Sequence, residues 1–266
     1  YIEIRDLYLD GTSGSDYAYY GVKCEACNYV RVLNITAKNF QDDCIAMGDT
    51  DYALVQGCFV GGTQTGSSGS NKSGIEYDDV CNYGIITGNI CEGREIGIHI
   101  HSHPSVVAPN YTTISNNITL NQIVGTAGHI VGGILCTGLS GAEINYVTCT
   151  GNIIISDGNS KYGIYTTYTN DFIASNNLTH GTFTIGKQIV GGATNFATNH
   201  TEYVDTALHA ASEADEAGKV ITARRSGVPF TFVSQHESTG YAATGIDTGT
   251  GIKFKVATSA SAFSDN

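Results

Sequence analysis

The chain has 266 residues, among them 33 glycines, 3 prolines, 16 tyrosines and no tryptophan, and a formal net charge of −12. That acidic balance argues against a nucleic-acid binder, whose phosphate contacts need Lys and Arg. No run of about 18 apolar residues is present to form a membrane-spanning helix. An apolar fraction of 41% is enough for a continuous core, and acidic glycans stay open as partners through a local basic patch.

Tyr1 falls in mid-pattern, with no initiator Met or signal peptide ahead of it, and reads as the end of a processed or trimmed piece. From there two kinds of segment alternate. The first is led by glycine and alternates strictly. It runs Gly21-Val22-Lys23-Cys24-Glu25, then Cys44-Ile45-Ala46-Met47-Gly48, then Ser73-Gly74-Ile75-Glu76-Tyr77-Asp78. It recurs as Ile96-Gly97-Ile98-His99-Ile100-His101, Gly133-Ile134-Leu135-Cys136-Thr137 and Gly163-Ile164-Tyr165-Thr166-Thr167. Strand alternation sends Val22, Ile45, Ile75, Ile98, Ile134 and Ile164 to an inner face, and Lys23, Ala46, Glu76, His99, Leu135 and Tyr165 outward. A repeat of this kind predicts stacked coils.

The second segment reads Tyr29-Val30-Arg31-Val32-Leu33-Asn34-Ile35, with later copies at 53–59, 84–90, 113–118, 147–153 and 172–178. Asp6-Leu7 is a degenerate earlier copy and Asn195-Phe196 a later one. Asn34, Asn89, Asn117, Asn152 and Asn177 are read as one ladder of stacked amides. Ile35, Phe59, Ile90, Ile118, Ile153 and Leu178 are read beside it as core. The longest insertion, Gly61 to Lys72, is rich in Gly and Ser. Asn-x-Ser/Thr sequons occur at Asn34, Asn71, Asn110, Asn117, Asn177 and Asn199, with Asn71 in the insertion the best acceptor. All 8 cysteines precede residue 150. Cys24, Cys136 and Cys58 fall on interior columns, so the set reads as mostly reduced core residues rather than disulfides. Cys24-x-x-Cys27 has no second pair to complete a zinc site.

The pattern changes near residue 202, giving a β domain over 1–201 and a small module over 202–266. Tyr203 to Ala217 reads as a short helix ended by Gly218. Strand-like runs follow at Val220-Ile221-Thr222, Phe230-Thr231-Phe232-Val233 and Ile252-Lys253-Phe254-Lys255-Val256.

Glycine-led strands with an Asn ladder resemble the right-handed parallel β-helices of the pectate-lyase and polygalacturonase kind over roughly residues 1–200. Gln41-Asp42-Asp43-Cys44-Ile45-Ala46 is similar to the paired-Asp motif of polygalacturonases. Their earlier catalytic Asp position is occupied by Tyr20, their Gly-His-Gly position falls near Ser73, and no Arg-Ile-Lys is present. The resemblance therefore implies the fold rather than that active site. The stretch from Asp205 to Val256, with Gly218-Lys219-Val220-Ile221 and Gly251-Ile252-Lys253-Phe254, resembles a connector module of phage tailspikes. That resemblance implies a homotrimer on a virion or outside the cell, binding or cleaving surface glycans.

The chemistry concentrates at Glu76, Asp78, His99 and His101, paired ionisable groups on adjacent coils. Glu76 and Asp78 lie two residues apart on one strand face, a Cα separation of roughly 6.8 Å. Inverting glycosidases hold their carboxyl groups about 6.5–9.5 Å apart. The expectation is a catalytic centre of these four residues, with Lys23, Arg94, Tyr165, Asp42 and Asp43 binding substrate. The plain alternative for Asp42 and Asp43 is turn hydrogen bonding, and for the whole patch a solvated polar face. No cofactor is expected. The alternative is a divalent metal at Glu76, Asp78, His99 and His101, with His103 on the same side. Three functions stay open: a tailspike-like polysaccharide binder with or without glycoside hydrolase activity, a free secreted hydrolase, lyase or epimerase, and a purely structural β-helix.

Overall fold

The structure, a computed structural model, describes residues 1–13, 16–62, 72–103, 108–123, 130–190, 197–202, 220–225, 228–237 and 240–246. The chain divides into two units, Tyr1–Tyr203 and Val204–Asn266. The first is a right-handed parallel β-helix with three strands per coil. The first face stacks Ile2–Arg5, Val30–Leu33, Leu54–Gln56, Ile85–Thr87, Asn110–Ser115 and Ile144–Thr150. The second stacks Tyr8–Asp10, Thr36–Lys38, Phe59–Gly61, Ile90–Glu92, Ile118–Leu120 and Ile153–Asp157. One long strand, Thr169–Thr182, extends both faces at once and joins them into a 14-stranded sheet. The third face is a 7-stranded sheet running from Val22–Glu25 through Ile45–Gly48, Ser73–Asp78, Ile96–His101, Gly132–Thr137 and Tyr162–Thr167 to Gly186–Val190. In the second unit, Val220–Arg225, Val228–Glu237 and Gly240–Ile246 form an antiparallel sheet. The helix expected at Tyr203 to Ala217, the strand expected at 252–256 and the sequon at Asn71 lie outside the described residues.

The register on the third face is the one that the alternation predicts. Val22 pairs with Ile45, Ile45 with Ile75, Ile75 with Ile98, Ile98 with Ile134, and Ile134 with Ile164. Ile45, Ile75, Ile98, Ile134 and Ile164 are all fully buried. The leading glycines follow from close approach. A Cβ on Gly74 would sit 2.7 Å from the Gly97 carbonyl oxygen, and one on Gly97 would sit 2.6 Å from that of Gly133. All 8 cysteines are free, and only Cys27 is not buried. Burial pushes the thiols of Cys81 and Cys149 up to about 12, which leaves them inert.

The Asn ladder differs in one member. Pairing of Leu33 with Gln56 puts Asn34 opposite Gly57, in a turn column that also holds Gly88, Asn116, Gly151 and Asn176. These residues have φ between 52° and 67°, the left-handed region that Gly and Asn tolerate best. The buried ladder is Asn89, Asn117, Asn152 and Asn177. Asn117 shows the bonding rule. Its Nδ2 donates to the Ile86 carbonyl and to Asn152 Oδ1, and its Oδ1 accepts from the Asn89 backbone N–H and Nδ2. The Cys58 N–H donates to Asn89 and closes the ladder at one end. Ile35 therefore belongs to the ladder column. Phe59, Ile90, Ile118, Ile153 and Leu178 are half-buried on the outer side of the second face, with Val60, Cys91, Thr119, Ile154 and Thr179 inside. Adjacent Asn residues of one type, with a shift of one position, account for the misreading.

A further ladder lies at the corner that precedes the first face. Tyr29, Tyr52, Tyr83, Tyr111 and Tyr146 stack in sequence with ring centroids 4.8, 4.9, 5.0 and 4.7 Å apart. Neighbouring rings are parallel to within 9°. Each tyrosine has φ between 55° and 58°. Each follows an Asn or Asp, and the preceding side chains bond from coil to coil. Asn82 Nδ2 donates to Asp51, Asn110 to Asn82, and Asn145 to Asn110.

Candidate functional site

The third face carries the expected residues on its outer side. Glu76 pairs in register with His99, and His99 Nδ1 lies 3.0 Å from Glu76 Oε1. His101 Nδ1 lies 3.3 Å from Asp78 Oδ1, and the two imidazole rings stack at 5.0 Å. The alternation thus brings all four together. It does not leave them equally exposed. The His99 side chain is 1% exposed and that of Glu76 14%, against 30% for His101 and 34% for Asp78. His99 is covered, not outward in the sense of reaching solvent. Leu135, next on the same column, is also fully buried.

Two residues from neighbouring coils complete a row. His99 Nε2 lies 2.7 Å from the Thr137 hydroxyl, a partner that the sequence reading did not assign. Asp43, buried, accepts the Ser73 backbone N–H at 2.7 Å and shares a hydrogen bond with the Glu76 carboxyl. Asp43, Glu76, His99 and Thr137 therefore form one hydrogen-bonded line across four coils. With Glu76 ionised, the His99 Nδ1–H donates to it and the Thr137 hydroxyl donates to Nε2. With Glu76 protonated, the tautomer reverses.

Burial governs the titration of this row. It raises the Asp43 carboxyl well above its ordinary value, and the Glu76 charge and hydrogen bond push it further. The two carboxyls are raised together and titrate as a pair. Burial also raises Glu76, to about 7, with the charges of Asp78, Asp42 and Asp79 adding to it against the Asp43 hydrogen bond. His99 is lowered to about 3 by burial and by His101, so it is neutral. Asp78 goes the other way. Burial raises it, but the His101 hydrogen bond and charge outweigh that and hold it below its ordinary value.

The remaining candidates divide. Asp42 and Asp43 are both buried, and Asp42 hydrogen-bonds Tyr20. Burial and that carboxylate drive the Tyr20 phenol far up, so it keeps its proton. Lys23 is exposed, pairs with Glu25 at 2.8 Å and sits 5.1 Å over the Tyr20 ring. The Glu25 hydrogen bond raises its pKa most, with smaller contributions from Asp78 and Asp42. Tyr165 is two coils beyond His99 and packs on Tyr162 at 4.4 Å. Arg94, expected to face substrate carboxylates, is fully buried and donates from Nη1 to the Phe40 carbonyl at 2.9 Å. That bond engages Nη1 alone, and Nε and Nη2 are buried with no hydrogen-bond partner among the described residues. His103 is exposed. Among the described residues no three His, Cys, Asp or Glu side chains are arranged to hold a metal ion.

No family model matches the chain, and no curated protein does. Solved structures similar to it include PfbA, a surface adhesin of Streptococcus pneumoniae, at 12% identity over 85% of this chain and 66% of that one, with a TM-score of 0.43. A second structure of PfbA matches at 11% identity over 69% and 68% of the two chains, with a TM-score of 0.40. An alginate lyase from Paenibacillus sp. str. FPU-7 matches at 14% identity over 73% and 80%, with a TM-score of 0.37. The chain thus spans just under two thirds of the length of the first of these. At such scores the likeness carries no inference about the site.

Proposed function

We propose that the chain binds a polysaccharide across its third face and hydrolyses it, with Glu76 as general acid and Asp78 as general base. One observation carries this reading. Two carboxyls on the same side of one strand have surroundings that push their pKa values apart, Glu76 up to about 7 and Asp78 down. Such a split is how one site runs acid and base chemistry together. In the step proposed, Glu76 gives its proton to the departing glycosidic oxygen. Asp78 takes a proton from the water that attacks the anomeric carbon, and the C–O bond breaks. The strand spacing suits inversion, with the water held between the carboxyls. Asp43 stands behind Glu76, and neutral His99 orients it. Location outside the cell or on a virion, and assembly as a trimer of the tailspike kind, go with this reading.

The test is incubation with a panel of bacterial and algal polysaccharides. Reducing ends and the absorbance of unsaturated uronate are followed in parallel. Reducing ends alone are expected. Both signals together mean a lyase, and neither signal leaves binding or a structural role.

A further inference from the structure

We infer that the tyrosine ladder of the first face is a second glycan-binding surface, built to take a linear, uncharged polysaccharide lying along the helix axis. Three features carry this. The first is composition. The chain has a net charge of −12, yet the four central first-face strands Leu54–Gln56, Ile85–Thr87, Asn110–Ser115 and Ile144–Thr150 contain no charged residue, the charges Glu3, Arg5, Arg31 and Asp171 lying in the flanking strands. A neutral strip on an acidic protein selects against polyanions, which the rest of the surface repels.

The second is regularity. Four successive ring spacings of 4.7–5.0 Å make a row whose pitch is fixed by the strand spacing. A polymer of identical sugars has the matching symmetry, one similar contact per repeat. The third is what the rings present. Each tyrosine stays 46% to 55% exposed, although Tyr52, Tyr83 and Tyr111 are stacked on both faces and Tyr29 and Tyr146 on one. For Tyr52, Tyr83 and Tyr111 the exposed part is therefore the ring edge with the phenol hydroxyl. An aromatic edge is electropositive, and an O–H can donate or accept. A row of such edges meets the ether and hydroxyl oxygens of a sugar chain.

The backbone agrees. Five tyrosines in succession adopt positive φ, a conformation uncommon outside Gly, Asn and Asp. Ring stacking compensates for it, and the result aims every side chain the same way. This surface does not depend on Glu76 and Asp78, and the two readings can fail separately.

The test is affinity electrophoresis of the whole chain in gels cast with hydroxyethylcellulose, xyloglucan or galactomannan, with alginate as the polyanion. The parent is expected to be retarded by at least one neutral polymer and not by alginate. Tyr83→Ala with Tyr111→Ala should weaken that retardation about tenfold or more, while Tyr8→Ala, an exposed tyrosine on the second face, leaves it unchanged. Glu76→Gln should lower reducing-end release about 10²-fold or more and keep the retardation, which separates this surface from the carboxyl site. Should the double variant fail to fold, the parent answers alone: its near-UV tyrosine circular dichroism must change on adding the retarding polymer. Unchanged retardation in the folded double variant, no retardation of the parent by any neutral polymer, or an unchanged tyrosine spectrum overturns the proposal. So does ladder-dependent self-association in sedimentation, which would make a second copy of the chain the occupant.

Discussion

Glu76 and Asp78 are two residues apart and nearly identical in chemistry. Their difference is imposed by neighbours. Burial raises Glu76 to about 7, with the charges of Asp78, Asp42 and Asp79 adding to it, and His101 holds Asp78 low. If these are the acid and base, activity needs Glu76 protonated and Asp78 ionised. Rate should then fall as pH rises through about 7, and fall again on the acid side only below the ordinary carboxylate range. The bell belongs to the coupled groups as a set. Glu76→Gln or Asp78→Asn should each lower turnover about 10²-fold or more. Stability gives a separate check. A carboxyl whose folded pKa is raised stabilises the fold below its unfolded value, and that contribution is lost as pH rises through the folded value. The thermal midpoint of the parent, relative to Glu76→Gln, should therefore drop as pH climbs from 4.5 to about 7. A constant difference across that window would mean that Glu76 titrates normally.

The stacked columns are the elements of this fold, and they differ in how far the sequence reveals them. The third face was legible because glycine marks the start of each strand and alternation then places every side chain. What alternation cannot tell is coverage, so it put His99 on the correct side without showing that it is buried. The amide ladder was legible in kind but misplaced at Asn34, because left-handed turns and buried ladders both favour Asn and stand one residue apart. The tyrosine ladder was missed, although the repeated pair was there: Asn28-Tyr29, Asp51-Tyr52, Asn82-Tyr83, Asn110-Tyr111 and Asn145-Tyr146. A tyrosine in a left-handed turn has no counterpart in propensity. Asn117→Ala, which leaves the Ile86 carbonyl and the Asn89 N–H unpaired, should cost on the order of 1–3 kcal/mol in urea unfolding. Asn159→Ala, bonded only to Asp157 nearby, should cost none. Equal midpoints for the two variants would remove the structural role of the ladder.

Within the first unit, the acid and imidazole groups lie on the third face, the tyrosine ladder borders the first, and the second carries half-buried aliphatic side chains together with Lys38 and Glu92. Stability comes from the continuous core and the ladders between coils, with all 8 cysteines free. The urea midpoint should therefore be the same with and without dithiothreitol. A lower midpoint under reduction would show a disulfide that the structure does not contain. The free thiols were legible from their interior columns, whereas the burial of Arg94 was not, since a lone Arg between two strands carries no periodic signal.

The opposed environments of the two carboxyls are measured most directly by carbon-13 NMR titration of their side-chain carboxyl resonances, assigned with Glu76→Gln and Asp78→Asn. Glu76 should titrate near 7 and Asp78 below 3.8. If both titrate together between 3.8 and 4.5, the two groups are ordinary surface carboxylates and the acid–base assignment is wrong.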